Sequence, residues 1–212
     1  IRDSFGTGKI EINVSGNVVG LGSESAGIAT SQSESSIIVS TFATVSGTTE
    51  GIKTDSKADT VTVNGSVTGL NGTAILLGGG NDTVNLGTTA TITGTIEGGT
   101  GSDTASFSVA KSAVDTFTYN DTTKIAVVTV DSQVTTFKDF EYFKFSDDTS
   151  AMTTAAAVTA VSMLLTPHSV ADIKFWAEHY SEISISWTVN DFDFVSQTDL
   201  TPFTAEHAAI AS

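Results

Sequence analysis

Two turns carry the residues best suited to chemistry. Leu77-Gly78-Gly79-Gly80-Asn81-Asp82 and Gly98-Gly99-Thr100-Gly101-Ser102-Asp103 each end in an aspartate, 21 residues apart. Glycine lets backbone carbonyls converge, and a carboxylate adds the anionic oxygen that a hard cation prefers. Gly78, Gly80, Asp82, Gly99, Gly101 and Asp103 therefore form a candidate set for one Ca²⁺ ion between the two turns. The same residues also make tight turns in which Asp accepts hydrogen bonds from nearby backbone amides. Both uses stay open at the level of sequence.

Other polar groups offer less. His168, His179 and His207 are scattered without metal-ligand spacing, and Asp147-Asp148 and Asp191-Phe-Asp193 suit solvated turns as well as acid–base work. Gly6-Thr7-Gly8-Lys9 is followed by Ile10 and lacks the earlier glycine of a phosphate loop, and no nucleophile elbow or zinc-protease motif occurs. With no Cys, disulfides, thiolate metal sites and thiol nucleophiles are excluded together. An enzyme is not expected. A carbohydrate-active enzyme or accessory module is the alternative, although the first half offers only Arg2, Lys9, Lys53 and Lys57 as cations for a polyuronate.

The elements that must position the two turns are repeats of 21 to 25 residues. Val14, Val39, Val63 and Leu86 return at near-constant spacing, as do Ile28, Ile52, Ile75 and Ile96, and Asp-Thr steps open at Asp59, Asp82 and Asp103. Within a unit the pattern alternates, with Val61, Val63 and Val67 inward against Thr60, Thr62 and Ser66 outward, and Gly65, Gly69 and Gly72 read as corners. So short an alternating segment cannot bury its apolar face alone. Stacked on copies of itself, it makes an aliphatic column inside a Thr/Ser/Asn exterior. The expected fold is mainly β: a right-handed parallel β-helix of about four to five coils over residues 1–107, with a β-sandwich as the other reading. A β-strand cap should follow over 108–150, and a small α/β C-terminal segment over 151–212.

The turns at Asp82 and Asp103 resemble the calcium-binding nonapeptide of bacterial RTX proteins. Val84 satisfies that motif's large apolar position and Ala105 does not, while Lys57 and Ala58 stand where the preceding coil would need glycines. RTX turns recur every nine residues, whereas these recur once per coil, so the chain is more similar to the β-helical passengers of surface proteins. Phe137, Glu141, Phe145 and Asp147 resemble a Phe-x-x-x-Glu-x-x-x-Phe-x-Asp ending that follows RTX repeats in type I-secreted proteins. The resemblance implies a secreted or cell-surface, bacterial location, a structural or adhesive role, and Ca²⁺ as cofactor.

The second half changes composition: no glycine follows Gly101, and both Trp, both Pro and all three Tyr lie there. Strands are expected at Asp115–Tyr119, Lys124–Val130, Val134–Phe137 and Phe140–Thr149, then helices at Ala151–Leu165 and Ser169–Tyr180 and a strand at Ser184–Phe194. The acidic, weakly apolar terminus from Phe203 has the composition of type I secretion tails. The chain lacks an initiator Met and a signal-peptide pattern, which suggests a mature product or a fragment.

Charge narrows the partners. Nine basic against 24 acidic side chains give a net charge of -15, so nucleic acid and anionic membrane surfaces are repelled. No apolar run is long enough to span a membrane. A polysaccharide or cell-surface ligand and end-to-end self-association remain. A third function, an ice- or mineral-binding surface, rests on Thr60/Thr62 stacking on Thr83/Asn85 and Thr104/Ser106, a ladder that Ser40 does not extend.

Overall fold

The computed structural model describes residues 1, 8–31, 33–120, 122–147 and 150–152. Its alternating segments form β1 (Ile10–Val14), β2 (Asn17–Val19), β3 (Ile28–Ala29), β4 (Ser35–Val39), β5 (Thr44–Gly47), β6 (Glu50–Lys53), β7 (Thr60–Val63) and β8 (Ser66–Gly80). β9 (Thr83–Leu86), β10 (Thr91–Gly101) and β11 (Thr104–Phe107) continue the series. The order β1-β4-β7-β9-β11 is parallel throughout and makes the first face of a β-solenoid of about four turns. β2, β5 and the first parts of β8 and β10 make the second face. β3, β6 and the later parts of β8 and β10 make the third.

Register explains the repeat. Val14, Val39, Val63, Leu86 and Phe107 stack in one inward column. Ile28, Ile52, Ile75 and Ile96 stack in another. All of these side chains are buried, the four isoleucines completely, and each buried aliphatic stabilises the fold by roughly 1.5–3 kcal/mol. Gly65 and Gly72 lie at corners as expected. Gly69 instead faces inward at the end of its strand segment, where a Cβ would collide with the carbonyl of Thr73.

The cap extends the solenoid's own sheets. β12 (Val114–Asn120), β13 (Ile125–Val130) and β14 (Gln133–Lys138) form an antiparallel meander, and β14 then pairs parallel with β10. β15 (Tyr142–Lys144) pairs parallel with β11 and antiparallel with β16 (Ser150–Met152). Phe137 thus sits on Ile96 at the top of the isoleucine column, and Phe143 continues the column of Val61, Val84 and Ala105. The small Ala105 leaves space where six aromatic contacts link Phe107, Phe117, Phe137, Phe140, Phe143 and Phe145. The expected strand Phe140–Thr149 is shorter, because Phe145 leaves the ladder to stack on Phe107 with centroids 5.4 Å apart. The helix expected from Ala151 does not begin there, because Ser150–Met152 pair with β15 as a strand. Its remainder, the helix Ser169–Tyr180, the strand Ser184–Phe194 and the three histidines lie outside the described residues. Among the described residues no helix is long and apolar enough to cross a membrane.

Candidate functional site

Asp59, Asp82 and Asp103 each precede the first residue of a first-face strand, β7, β9 and β11. That position turns the side chain inward at the corner, and all three are at most 1% exposed. Oδ1 of each accepts from a backbone N–H one coil before. Ser35 N–H donates to Asp59 at 2.6 Å, Asp59 N–H to Asp82 at 2.7 Å, and Asp82 N–H to Asp103 at 2.9 Å. The cap completes the series, since Asp103 N–H donates to Glu141 Oε2 at 2.8 Å. In the other direction the backbone carbonyls of the three aspartates accept from Thr83, Thr104 and Tyr142. The result is a column of four carboxylates joining every coil from β4 to β15.

Each aspartate spends only one oxygen in this way. The Oδ2 atoms of Asp59, Asp82 and Asp103 are buried and have no hydrogen-bond donor. An unsolvated anionic oxygen is costly, and the ionisation of the column reflects it. Burial pushes the Asp82 carboxyl from its ordinary 3.8 up to about 7, with a further push from Asp103 and Asp59. Burial raises Asp103 to about 6, assisted by Glu141 and Asp139. Asp59 and Glu141 are raised as well, burial again being the main cause.

The glycines serve close approach between coils. Gly78, Gly80, Gly99 and Gly101 have φ of 98°, 122°, 100° and 139°, a left-handed region that favours glycine. A Cβ on Gly99 or Gly101 would overlap the carbonyl oxygen of Gly78 or Gly80 one coil before, and one on Gly78 or Gly80 would overlap that of Asp55 or Lys57. Gly98 leaves room for the ladder itself, because a Cβ there would lie 2.6 Å from Asp103 Oδ2. The structure therefore brings Asp82 and Asp103 together in one column. It places the carbonyls of Gly78 and Gly80 against the α-carbons of the coil above. Among the described residues no three acidic or histidine side chains converge on a single point; the acids stack one per coil.

Two members of the column were missing from the set read off the sequence. Asp59 was visible as the earliest Asp-Thr step, but its coil lacks the glycines. Glu141 belongs to the aromatic ending, and only the fold places it above Asp103. Of that ending, Phe137 and Phe145 are buried, and Asp147 Oδ2 accepts from Lys111 N–H at 3.1 Å.

Away from the ladder, the far ends of β9 and β11 border a small concavity. A cavity of about 70 Å³ between the last coil and the cap is lined by Leu86, Ala90, Phe107, Val128 and Gln133, against the roughly 300–1,000 Å³ of ordinary ligand pockets. No family model matches the chain, and no curated protein and no solved structure is significantly similar to it. Fold and site together define a parallel β-solenoid with a buried carboxylate column.

Proposed function

We propose that this chain is a structural and adhesive β-solenoid of the bacterial cell surface or exterior, braced by Ca²⁺ at the turns ending in Asp82 and Asp103. The observation that carries the reading is the donor-less Oδ2 on successive buried aspartates. Hard anionic oxygens left without a proton donor fit a hard cation, so the residues suit Ca²⁺. Asp82 and Asp103 would hold it, with water supplying the remaining oxygens; of the turn residues Gly78, Gly80, Gly99 and Gly101, the first two turn their carbonyls to the coil above instead. The ion supplies positive charge and no bond-making chemistry. The resemblance of the turns ending in Asp82 and Asp103, and of the Phe137–Asp147 ending, to those of secreted bacterial proteins supports the extracellular location. The outer faces of the solenoid then act as surface, with self-association along its axis available to exposed strand edges.

Thermal unfolding of the full chain in chelator and in millimolar Ca²⁺ tests the proposal. Linkage predicts about 2.7 kcal/mol of added stability when free Ca²⁺ is one hundredfold above its dissociation constant. Asp103→Asn keeps the Oδ1 acceptor and should abolish the response. An identical melting temperature with and without Ca²⁺ means that the column is held by protons and backbone amides alone.

A further inference from the structure

The second face differs from the rest of a molecule that carries a net charge of -15. Its outward positions fall in two columns, Asn17/Thr44/Ser66/Thr91 and Val19/Ser46/Thr68/Thr93, aligned coil upon coil. No acidic or basic residue stands on its strands, whereas the first face carries Glu11 and Lys144 and the third Glu97 and Lys138. The nearest acid along the chain is Glu50, three residues past the end of β5, where it opens the third face and pairs with Lys53 at 3.8 Å.

Among the described residues, four of the seven large apolar side chains left in solvent lie on or beside this face, including the three most exposed; Ile1, Ile38 and Val134 lie elsewhere. Phe42, 94% exposed, stands at the edge where the chain enters β5. Leu21 and Leu70, 89% and 70% exposed, stand at the opposite edge, each directly after a glycine that ends a second-face strand segment. Val19 lies on the face and is more than half exposed.

We infer that the second face binds a neutral polysaccharide chain laid along the solenoid axis. This assignment rests on the adhesive reading above and names its ligand class. Charge selects the sugar: a polyuronate or sulfated glycan would find no cation on the face and would be repelled by the molecule as a whole. The two surface types match a pyranose chain. The Asn17 amide on the first coil and a pair of hydroxyls on each of the next three meet sugar hydroxyls, while Phe42 and the leucines meet the C–H faces of the rings. Size points the same way. Four coils at about 4.8 Å give a strip about 19 Å long and about 10 Å wide, far below the roughly 800 Å² per partner of a stable protein interface. The strip is long enough for a few sugar units.

Affinity electrophoresis of the full chain through gels holding laminarin, yeast mannan, hydroxyethyl cellulose or alginate tests this. Retardation is expected in at least one neutral gel and not in alginate. Phe42→Asn suits the left-handed backbone at that residue, φ 67°, and should weaken the retardation without loss of melting temperature. Thr93→Asp puts a carboxylate on the exposed face and should abolish it; Thr62→Asp, on the first face, should not. Retardation by alginate alone, or by none of the gels, overturns the assignment, as does unchanged retardation of both second-face variants. Thermal hysteresis that Thr93→Asp removes also overturns it, by giving the face to ice. If the parent chain adheres to whole bacteria or host cells and both second-face variants adhere equally, the adhesive reading stands and only the face is wrong. A parent chain that adheres to nothing removes both.

Discussion

At the scale of single residues, the column of Asp59, Asp82, Asp103 and Glu141 sets how stability depends on pH. Asp82 and Asp103 titrate at about 7 and about 6 in the folded chain, above the ordinary 3.8 of an unfolded aspartate. The folded state therefore binds more protons between these limits. The contribution to stability is complete below about pH 4 and is lost as pH rises through 6 and 7. In chelator, the melting temperature should climb as pH falls from 8 to 5, each kcal/mol reading as about 2–4 °C for a chain of this size. Asp82→Asn removes one titrating group and should flatten the slope, and Ca²⁺ should compete with the proton, helping most at pH 8. A melting temperature that falls steadily between pH 8 and pH 5 would show that the fold does not favour the protonated form of these acids. Both turn aspartates were legible in the sequence, because glycines flank them. The role of Asp59 was not, because its carboxylate is bound by the Ser35 N–H one coil earlier and its coil carries no flanking glycines.

At the scale of elements, stacking of β8 on β10 depends on glycine for two separable reasons. Gly72 and Gly101 both have positive φ, 107° and 139°. Around Gly72 a Cβ would meet nothing within 4 Å, whereas at Gly101 it would overlap the carbonyl oxygen of Gly80. Gly72→Ala should therefore cost only the backbone term, about 1–2 kcal/mol. Gly101→Ala must also force two coils apart and should cost about 1–3 kcal/mol more. Urea denaturation of the two variants measures the difference, and equal losses would mean that the coils do not approach as closely as β8 and β10 imply. The inward isoleucine row was legible because Ile52, Ile75 and Ile96 are nearly equally spaced. Gly69 was misplaced at a corner because glycine marks turns and close approaches alike. The short β15 was missed because the departure of Phe145 is decided by Phe107, 38 positions earlier in the chain.

At the scale of the whole molecule, the two halves are one object: the meander of β12, β13 and β14 closes the solenoid by adding its last strand to β10, and β15 does the same to β11. Phe137 is the pivot of that closure. It is fully buried on Ile96 and makes edge contacts with Phe107, Phe140 and Phe143 at 5.4–5.7 Å between centroids. Phe137→Ala should cost about 3–5 kcal/mol, through lost burial and the cavity left behind. The damage should also have a direction. A loosened cap bares the parallel edges of β10 and β11, each a template for another strand. Light scattering of Phe137→Ala below its melting temperature should show species larger than the parent's. Val134→Ala, on the neighbouring stretch of β14 but more than half exposed, should leave both mass and stability unchanged. If Phe137→Ala is destabilised yet keeps the parent's mass, the cap secures the core without guarding the sheet edges, and any association of the parent chain must begin elsewhere.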